Sequence, residues 1–205
     1  MSKKQLLNPI SDEQFISGDI GLSTSNGWVA RLIRLITSWQ TGKAASSHAF
    51  ILVGENLIVE AVDKIRENPI SKYDHKDYTK TAIFRINLSN EERKALRIGL
   101  IKRVGGAYGW FKIPLFALDG IFTKITSLFG RKTPVFFFSK TLGISNIPVC
   151  SQLVVWALHK YTNYIFRDKH NHEVDWKVVS PDYLEDLLAL ETNHAQRIYS
   201  KTFVK

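Results

Sequence analysis

Residues 48–62, HAFILVGENLIVEAV, decide the fold of this chain. They contain two runs rich in β-branched and large apolar residues, HAFILV and LIVEAV, which is the composition of β-strands. Between the two runs lies Gly54-Glu55-Asn56, the usual composition of a short hairpin loop. The pattern therefore predicts a β-hairpin.

The loop length fixes which side chains share a face of this hairpin. With a three-residue loop, Phe50 lies opposite Glu60. Side chains two positions apart point to the same face of a strand, so His48 and Glu60 become diagonal neighbours on one face. A loop of two or four residues would instead place Asp63 opposite His48. Both registers remain open from the sequence.

The rest of the chain predicts an α+β fold, in which an antiparallel sheet that carries the His48 strand packs against a helix beginning at Cys150. Several helices are predicted from apolar residues at helical spacing. Residues typical of helix N-termini support them, including a Ser89-x-x-Glu92 capping box. Further strands are predicted at 18–23, 82–88 and 197–204, and helices at 28–39, 90–104, from Pro114, at Cys150–Tyr161 and from Ser180-Pro181. Residues 130–148 are predicted to form a loop.

Length and composition exclude several protein classes. The chain has 205 residues, 44% of them apolar and 12% aromatic, which fits one domain over residues 1–205 and argues against a disordered chain. It contains one cysteine, Cys150. A single cysteine cannot form an intramolecular disulfide, a CxxC redox pair or a Cys-rich zinc site.

The net charge of +9 is concentrated in one part of the chain. Residues 61–150 contain 16 basic and 7 acidic residues, whereas the remaining segments balance. Seven of the twelve phenylalanines lie within residues 111–138, so we expect a basic, Phe-rich insertion at about 110–148. Such a mixture is typical of a segment that contacts an anionic membrane surface peripherally, here through residues 110–138. The alternative is a solvated basic face beside an ordinary core. No nucleic-acid reader motif accompanies the charge, which argues against a nucleic-acid partner.

No segment has the pattern of a signal peptide or of a transmembrane helix. Polar residues at positions 5–13 interrupt any apolar signal core. The most apolar stretch, residues 110–129, contains Lys112, Asp119 and Lys124, too many charges for a membrane span. These patterns lead us to expect a cytoplasmic protein.

Cys150, His48 and Glu60 are the candidate chemical groups. A free thiol has a pKa of about 8.5, and a helix N-terminus together with an imidazolium can lower it to roughly 3.5–7.5. His48 begins an apolar strand, and Glu60 lies inside one, where a buried carboxylate needs a hydrogen-bond donor. A thiol, an imidazole and an orienting carboxylate are the parts of an acyl-transfer triad. The alternative is that Cys150 is a small core residue and His48 a buried structural histidine.

Other constellations carry less weight. His170, His172 and Asp175 could hold a metal, but their polar, Asn-containing surroundings favour a solvated turn. Gly105-Gly106 follows a helix and lacks the Lys-Ser/Thr of a phosphate-binding loop. We therefore expect neither a metal nor a cofactor.

Six short blocks occur in the order seen in one group of cysteine peptidases. They are Gly18-Asp19-Ile20, Ser47-His48-Ala49-Phe50, Val59-Glu60-Ala61, Gly106-Ala107-Tyr108, Cys150-Ser151-Gln152-Leu153-Val154 and Ser180-Pro181-Asp182-Tyr183-Leu184. Over roughly residues 15–190 the chain thereby resembles the YiiX/YaeF-like permuted NlpC-type peptidases, a papain-like group. Its hallmark is a circular permutation that places the His strand before the Cys helix.

The resemblance implies a thiol hydrolase or amidase with a papain-like fold. Cys150 matches the nucleophile, His48 the base and Glu60 the residue that orients His48. Tyr108 matches a tyrosine of the group and is the candidate to complete an oxyanion hole with the Cys150 backbone N–H. The implied substrates are a small peptide, an acyl-amide or an amphiphile. Two other functions remain open, a lipid-directed acyl hydrolase or transferase at a membrane and a non-catalytic module that binds an anionic surface.

Overall fold

A six-stranded antiparallel sheet forms the centre of the described structure, and the sequence predicts an antiparallel sheet that contains five of these strands. The computed structural model describes residues 15–28, 30–31, 33–35, 46–75, 77–107, 112–129 and 149–202. The strands are β1 Ile20–Ser25, β2 His48–Leu52, β3 Leu57–Ala61, β4 Ile65–Pro69, β5 Tyr78–Arg85 and β6 Gln196–Thr202. Their order across the sheet is β4-β3-β2-β1-β5-β6, so β2 and β1 are central and β4 and β6 are the edges.

Helices form at the predicted places in the chain. They are α1 Asn90–Ile101, α2 Lys112–Leu128, α3 Cys150–Tyr161 and α4 Pro181–Ala189, with short 3-10 turns at Ile70–Asp74, Trp176–Val178 and Glu191–Asn193. The described residues between 28 and 35 are also helical. The capping box is present, because the Glu92 N–H donates to Ser89 Oγ and the Ser89 N–H donates to Glu92 Oε2. None of these helices, as far as the chain is described, is both long and apolar enough to cross a membrane.

The hairpin has the register of a three-residue loop. Phe50 is paired with Glu60, and the Val53 N–H donates to the Leu57 carbonyl at 2.9 Å where the loop closes. The alternative register, with Asp63 opposite His48, is wrong. Asp63 lies beyond the end of β3 and is paired with Arg66 at the surface.

The two faces of the sheet bury different sets of side chains. Ala49, Ile51 and Val59 pack with Leu153 and Val154 of α3 in the larger core. α1 and α4 contribute to the same core. The opposite face forms a second cluster from Phe15, Phe50, Leu52, Ile58, Ile70, Tyr73, Ile83 and Tyr199. By strand alternation, His48 and Glu60 belong to this second face.

Several elements differ from the sequence prediction. Strand β4 is not foreseen, because Arg66, Glu67, Asn68 and Pro69 lack the apolar pattern of a central strand, although charges and proline are typical of an edge strand. β5 begins four residues earlier and ends three residues earlier than the predicted strand at 82–88. α2 begins two residues before Pro114. The loop predicted at 130–148 lies outside the described residues.

Candidate active site

Cys150 is the first residue of α3 and lies in a setting that stabilises a thiolate. Val149, which precedes it, is extended and serves as the N-cap residue. The Cys150 sulfur interacts with the backbone N–H groups of Ala49 and Ser151. The N-terminus of α3 adds the positive end of a helix dipole. Cys150 is only 4% exposed, so a substrate must reach it through a cleft.

His48 lies between Cys150 and Glu60. Its Nε2 is 2.7 Å from Glu60 Oε2. The Cys150 thiol interacts with the same ring and contributes to raising the pKa of His48, and Nδ1 is the nitrogen left to face it since Nε2 is engaged by Glu60. The side chain is 20% exposed. His48 is therefore held on one side by the carboxylate and faces the thiol on the other, which is the order of a triad.

Glu60 is completely buried and accepts hydrogen bonds from four side chains. Oε2 accepts from His48 and from Tyr73 Oη, the latter at 2.6 Å. Oε1 accepts from Asn68 Nδ2 at 2.7 Å and from Lys72 Nζ at 2.6 Å. The donor that a buried carboxylate requires is thus supplied several times over.

The electrostatics of the site favour a thiolate and imidazolium pair. Burial lowers the pKa of His48, but the charge of Cys150 and hydrogen bonds from Cys150 and Glu60 outweigh it and raise that pKa to about 9. Burial raises the pKa of the Cys150 thiol, but the His48 charge and the hydrogen bonds to the sulfur leave it below its usual value. Burial also raises the pKa of Glu60, whereas His48, Lys72 and Tyr73 together hold it well below its usual range. Glu60 and His48 are consequently charged at neutral pH, and the thiolate form of Cys150 is favoured relative to an ordinary thiol.

A stack of aromatic rings supports the carboxylate. The Tyr73 ring stacks on Phe50 with centroids 4.3 Å apart, and the Tyr73 hydroxyl donates to Glu60. Phe50 in turn covers Gly21 of the neighbouring strand, where an added Cβ would lie 1.9 Å from the Phe50 ring. Only glycine at this position lets the ring lie flat against β1.

Helix α4 anchors the segment that leads into β2. The Ser46 N–H donates to Asp182 Oδ1 at 2.7 Å, and the Ser46 hydroxyl donates to Glu185 Oε2 at 2.6 Å. Lys80 of β5 bonds the second oxygen of Glu185. These contacts fix the backbone two residues before His48.

A cleft of about 180 Å³ opens at these three candidate residues. Cys150, His48 and Glu60 all contribute to its lining. The rest of its wall is mostly apolar or aromatic, formed by Ala30, Ile33, Ala61, Val62, Tyr73 and Tyr78, with Ser25, Ser47 and Lys72 as further polar groups.

The structure brings together three of the four predicted site residues. Tyr108 lies outside the described residues. Asp63 does not approach the site, because Arg66 Nε donates to it at the surface at 2.7 Å. Sequence reasoning missed Asn68, Lys72 and Tyr73, the donors around Glu60. The sequence indicated these donors only indirectly. Glu60 lies within an apolar strand, and a carboxylate buried there requires hydrogen-bond donors.

The polar loop around His170 and His172 is a turn organised by Asp168. The backbone N–H groups of both histidines donate to Asp168 Oδ1, at 2.8 and 2.9 Å. Both histidines are exposed. This geometry agrees with the solvated turn favoured from the sequence.

Comparison with known proteins supports the fold. The chain is similar in structure to the metalloprotein YiiX from Escherichia coli O157:H7, with 16% sequence identity and a TM-score of 0.50, over 94% of this chain and 98% of that one. At this level of identity the likeness applies to the fold alone, and it agrees with the YiiX-like part of the resemblance. No protein-family model and no curated protein matches the sequence.

The side chains at the triad do not form a metal site. Within the described ranges, no group of three or more His, Cys, Asp or Glu residues is arranged to hold a metal ion. At the triad itself, both oxygens of Glu60 are already occupied by donors, including the cationic Lys72. The donor set of this site therefore does not fit a metal, although the neighbour is called a metalloprotein.

Proposed function

We propose that this chain is a cysteine hydrolase that cleaves amide bonds, in a peptide or an acyl-amide, through a Cys150-His48-Glu60 triad. One observation carries the proposal: His48 bonds Glu60 through Nε2 at 2.7 Å, and the Cys150 thiol interacts with the same ring and lines the same cleft. The thiol stands at a helix N-terminus at the end of a cleft. A histidine with only a structural role would not need a neighbouring thiol or a cleft beside it.

The chemistry has two stages. In the first, the Cys150 thiolate attacks the amide carbonyl carbon, and the imidazolium of His48 gives its proton to the leaving amine as the C–N bond breaks. In the second, a water molecule loses a proton to His48 and attacks the thioester, and the thiolate leaves as the carboxylic acid is released. The Cys150 backbone N–H is one donor for the oxyanion, with Tyr108 as the candidate second donor.

Glu60 acts on His48 and does not touch the substrate carbonyl. Its bond to Nε2 directs Nδ1 toward the thiol, and its negative charge favours the imidazolium. Asn68, Lys72 and Tyr73 keep the carboxylate in place and ionised. The three residues are therefore positioning residues.

The cleft limits the substrate near the scissile bond. At about 180 Å³ it is below the roughly 300–1,000 Å³ of typical ligand pockets, so it takes a small side chain or a short acyl segment. The apolar wall favours an uncharged group next to the carbonyl. A small peptide or a simple acyl-amide meets both conditions.

The test combines labelling of the thiol with a search for product. The full chain is treated with iodoacetamide and, separately, with a library of N-acyl peptides, and both are followed by mass spectrometry. Cys150→Ala should abolish labelling and product formation. His48→Ala and Glu60→Gln should lower turnover, His48→Ala on the order of a thousandfold or more. Asp63→Asn, the matched carboxylate outside the site, should leave both unchanged.

A different outcome would identify a non-catalytic module. That outcome is labelling of Cys150 at the same rate in the wild type and in His48→Ala, with no product that depends on Cys150. Loss of activity in Asp63→Asn but not in Glu60→Gln would contradict the assignment of the third triad member.

A further inference from the structure

Helix α2 turns its polar side toward the protein and its apolar side toward solvent. Asp119 is completely buried and Thr123 is 8% exposed, and the Thr123 hydroxyl bonds the Asp119 carbonyl at 2.8 Å. The large apolar side chains among the exposed ones are Leu118, Ile121, Phe122, Ile125 and Leu128 of the helix and Phe129 in the turn that follows it. This orientation is the reverse of that of an ordinary surface helix.

The exposed residues form one continuous stripe. Their spacing of three and four residues places them on a single side of α2. Exposure increases toward the end of the helix, from 40% at Leu118 to 76% at Leu128 and 86% at Phe129. A contiguous exposed apolar stripe of this kind is typical of a docking surface and not of scattered surface residues.

The charge of the same surface is positive. Within 118–129 the charged residues are Asp119 and Lys124, and the acidic one is buried whereas Lys124 is exposed. The next two charged residues in the sequence, Arg131 and Lys132, are both basic. The stripe thus belongs to the part of the chain that holds 16 basic and 7 acidic residues.

We propose that the apolar stripe of α2 docks on a lipid bilayer that contains anionic headgroups. The bilayer accepts the leucine, isoleucine and phenylalanine side chains at its interface, and its negative charge attracts the exposed Lys124 and suits the basic composition of this part of the sequence. A second copy of this protein fits less well, because pairing two such stripes would bring two basic regions together. The proposal is independent of the chemistry at Cys150, so either can fail alone.

Vesicle flotation of the full chain tests the proposal. We expect binding to phosphatidylcholine vesicles that contain phosphatidylserine, weaker binding to phosphatidylcholine alone, and loss of binding at high salt. The double variant Leu128→Asp/Phe129→Asp should weaken binding by at least roughly tenfold, since it removes the two most exposed apolar groups and adds repulsion. The matched control is Ile98→Asp/Ile101→Asp in α1, where the replaced side chains are 46% and 42% exposed. It should bind as the wild type does.

Two further measurements keep the result clear. Circular dichroism and thermal unfolding verify that both double variants are folded, and Lys124→Glu, which leaves the apolar stripe intact, should also weaken binding to the anionic vesicles. Equal flotation of both double variants, or no flotation of the wild type, overturns the proposal. A concentration-dependent dimer in sedimentation velocity, lost in Leu128→Asp/Phe129→Asp, would instead identify a second copy as the occupant.

Discussion

Glu60 is the residue through which the candidate site is organised. It lies in the middle of an apolar strand and is completely buried, yet it is ionised because four donors surround it. A buried carboxylate with fewer donors would take up a proton or destabilise the fold. The negative charge of Glu60 favours the imidazolium form of His48. The imidazolium in turn favours the thiolate form of Cys150.

The pH dependence of the reaction follows from this arrangement. In the proposed mechanism turnover needs the thiolate of Cys150 and the imidazolium of His48, so it should fall as pH drops through the lowered pKa of Cys150 and as pH rises through about 9, the pKa of His48. Alkylation by iodoacetamide needs only the thiolate and should keep its rate above pH 9. In His48→Ala the acid limb of alkylation should move to higher pH, because the main stabilisation of the thiolate is gone. An alkaline limb of turnover near the ordinary His value of 6.5 would contradict this.

Lys72 should affect the pH of the same alkaline limb without taking part in the reaction itself. Its ammonium, 2.6 Å from Glu60 Oε1, offsets part of the carboxylate charge that His48 experiences. Lys72→Met removes that offset, so the pKa of His48 and the alkaline limb should rise by roughly half to one pH unit. The measurement is the pH profile of kcat/KM.

Lys80→Met is the matched control for this substitution. Lys80 is 29% exposed and pairs with Glu185, much as Lys72 is 34% exposed and pairs with Glu60. It should leave the alkaline limb unchanged. If both variants lower thermal stability and neither moves the limb, Lys72 has only a structural role.

At the scale of elements, the site depends on how closely β1 and β2 approach each other. Gly21 on β1 allows the Phe50 ring to lie over the strand, Phe50 stacks on Tyr73, and Tyr73 donates to Glu60. The packing of β1 against β2 therefore affects the position of the Glu60 carboxylate through the rings of Phe50 and Tyr73.

Gly21→Ala should test this chain of contacts. The new Cβ would meet the Phe50 ring at 1.9 Å, so we expect a loss of about 1–3 kcal/mol in the free energy of unfolding and slower labelling of Cys150. Gly54→Ala in the hairpin loop meets nothing within 4 Å and should change the free energy by less than about 0.5 kcal/mol. Urea unfolding and labelling rates measure both. Equal effects of the two substitutions would show that the Phe50 contact is not critical.

The hairpin and the helix starts were predictable because their signals are local. The Gly-Glu-Asn loop sets the register that pairs Phe50 with Glu60, and the Ser89 and Ser180 caps mark where α1 and α4 begin. β4 was not predictable, because its polar residues are acceptable only at the edge of a sheet, and edge position is a property of the whole sheet. Asn68 was missed with this strand, and Lys72 and Tyr73 with the 3-10 turn that follows it.

At the scale of the whole molecule, the orientation of α2 could not be read from its pattern. The sequence predicts an amphipathic helix, and periodicity alone favours burial of the apolar side. The structure instead buries Asp119 and exposes Phe129. Which side of a helix faces the protein depends on the surface it meets, and that surface is assembled from distant parts of the chain.

The order of the site residues along the chain bears on when the thiol becomes reactive during folding. His48 and Glu60 belong to one hairpin, and hairpins form in about 1–10 μs once their residues are available. Cys150 follows Glu60 by 90 positions and meets them only when α3 docks on the sheet. Until then its thiol lacks the imidazolium, the Ala49 N–H and a fixed helix end, so it stays mostly protonated. A chain in which α3 has not yet docked on the sheet therefore carries an ordinary cysteine at position 150.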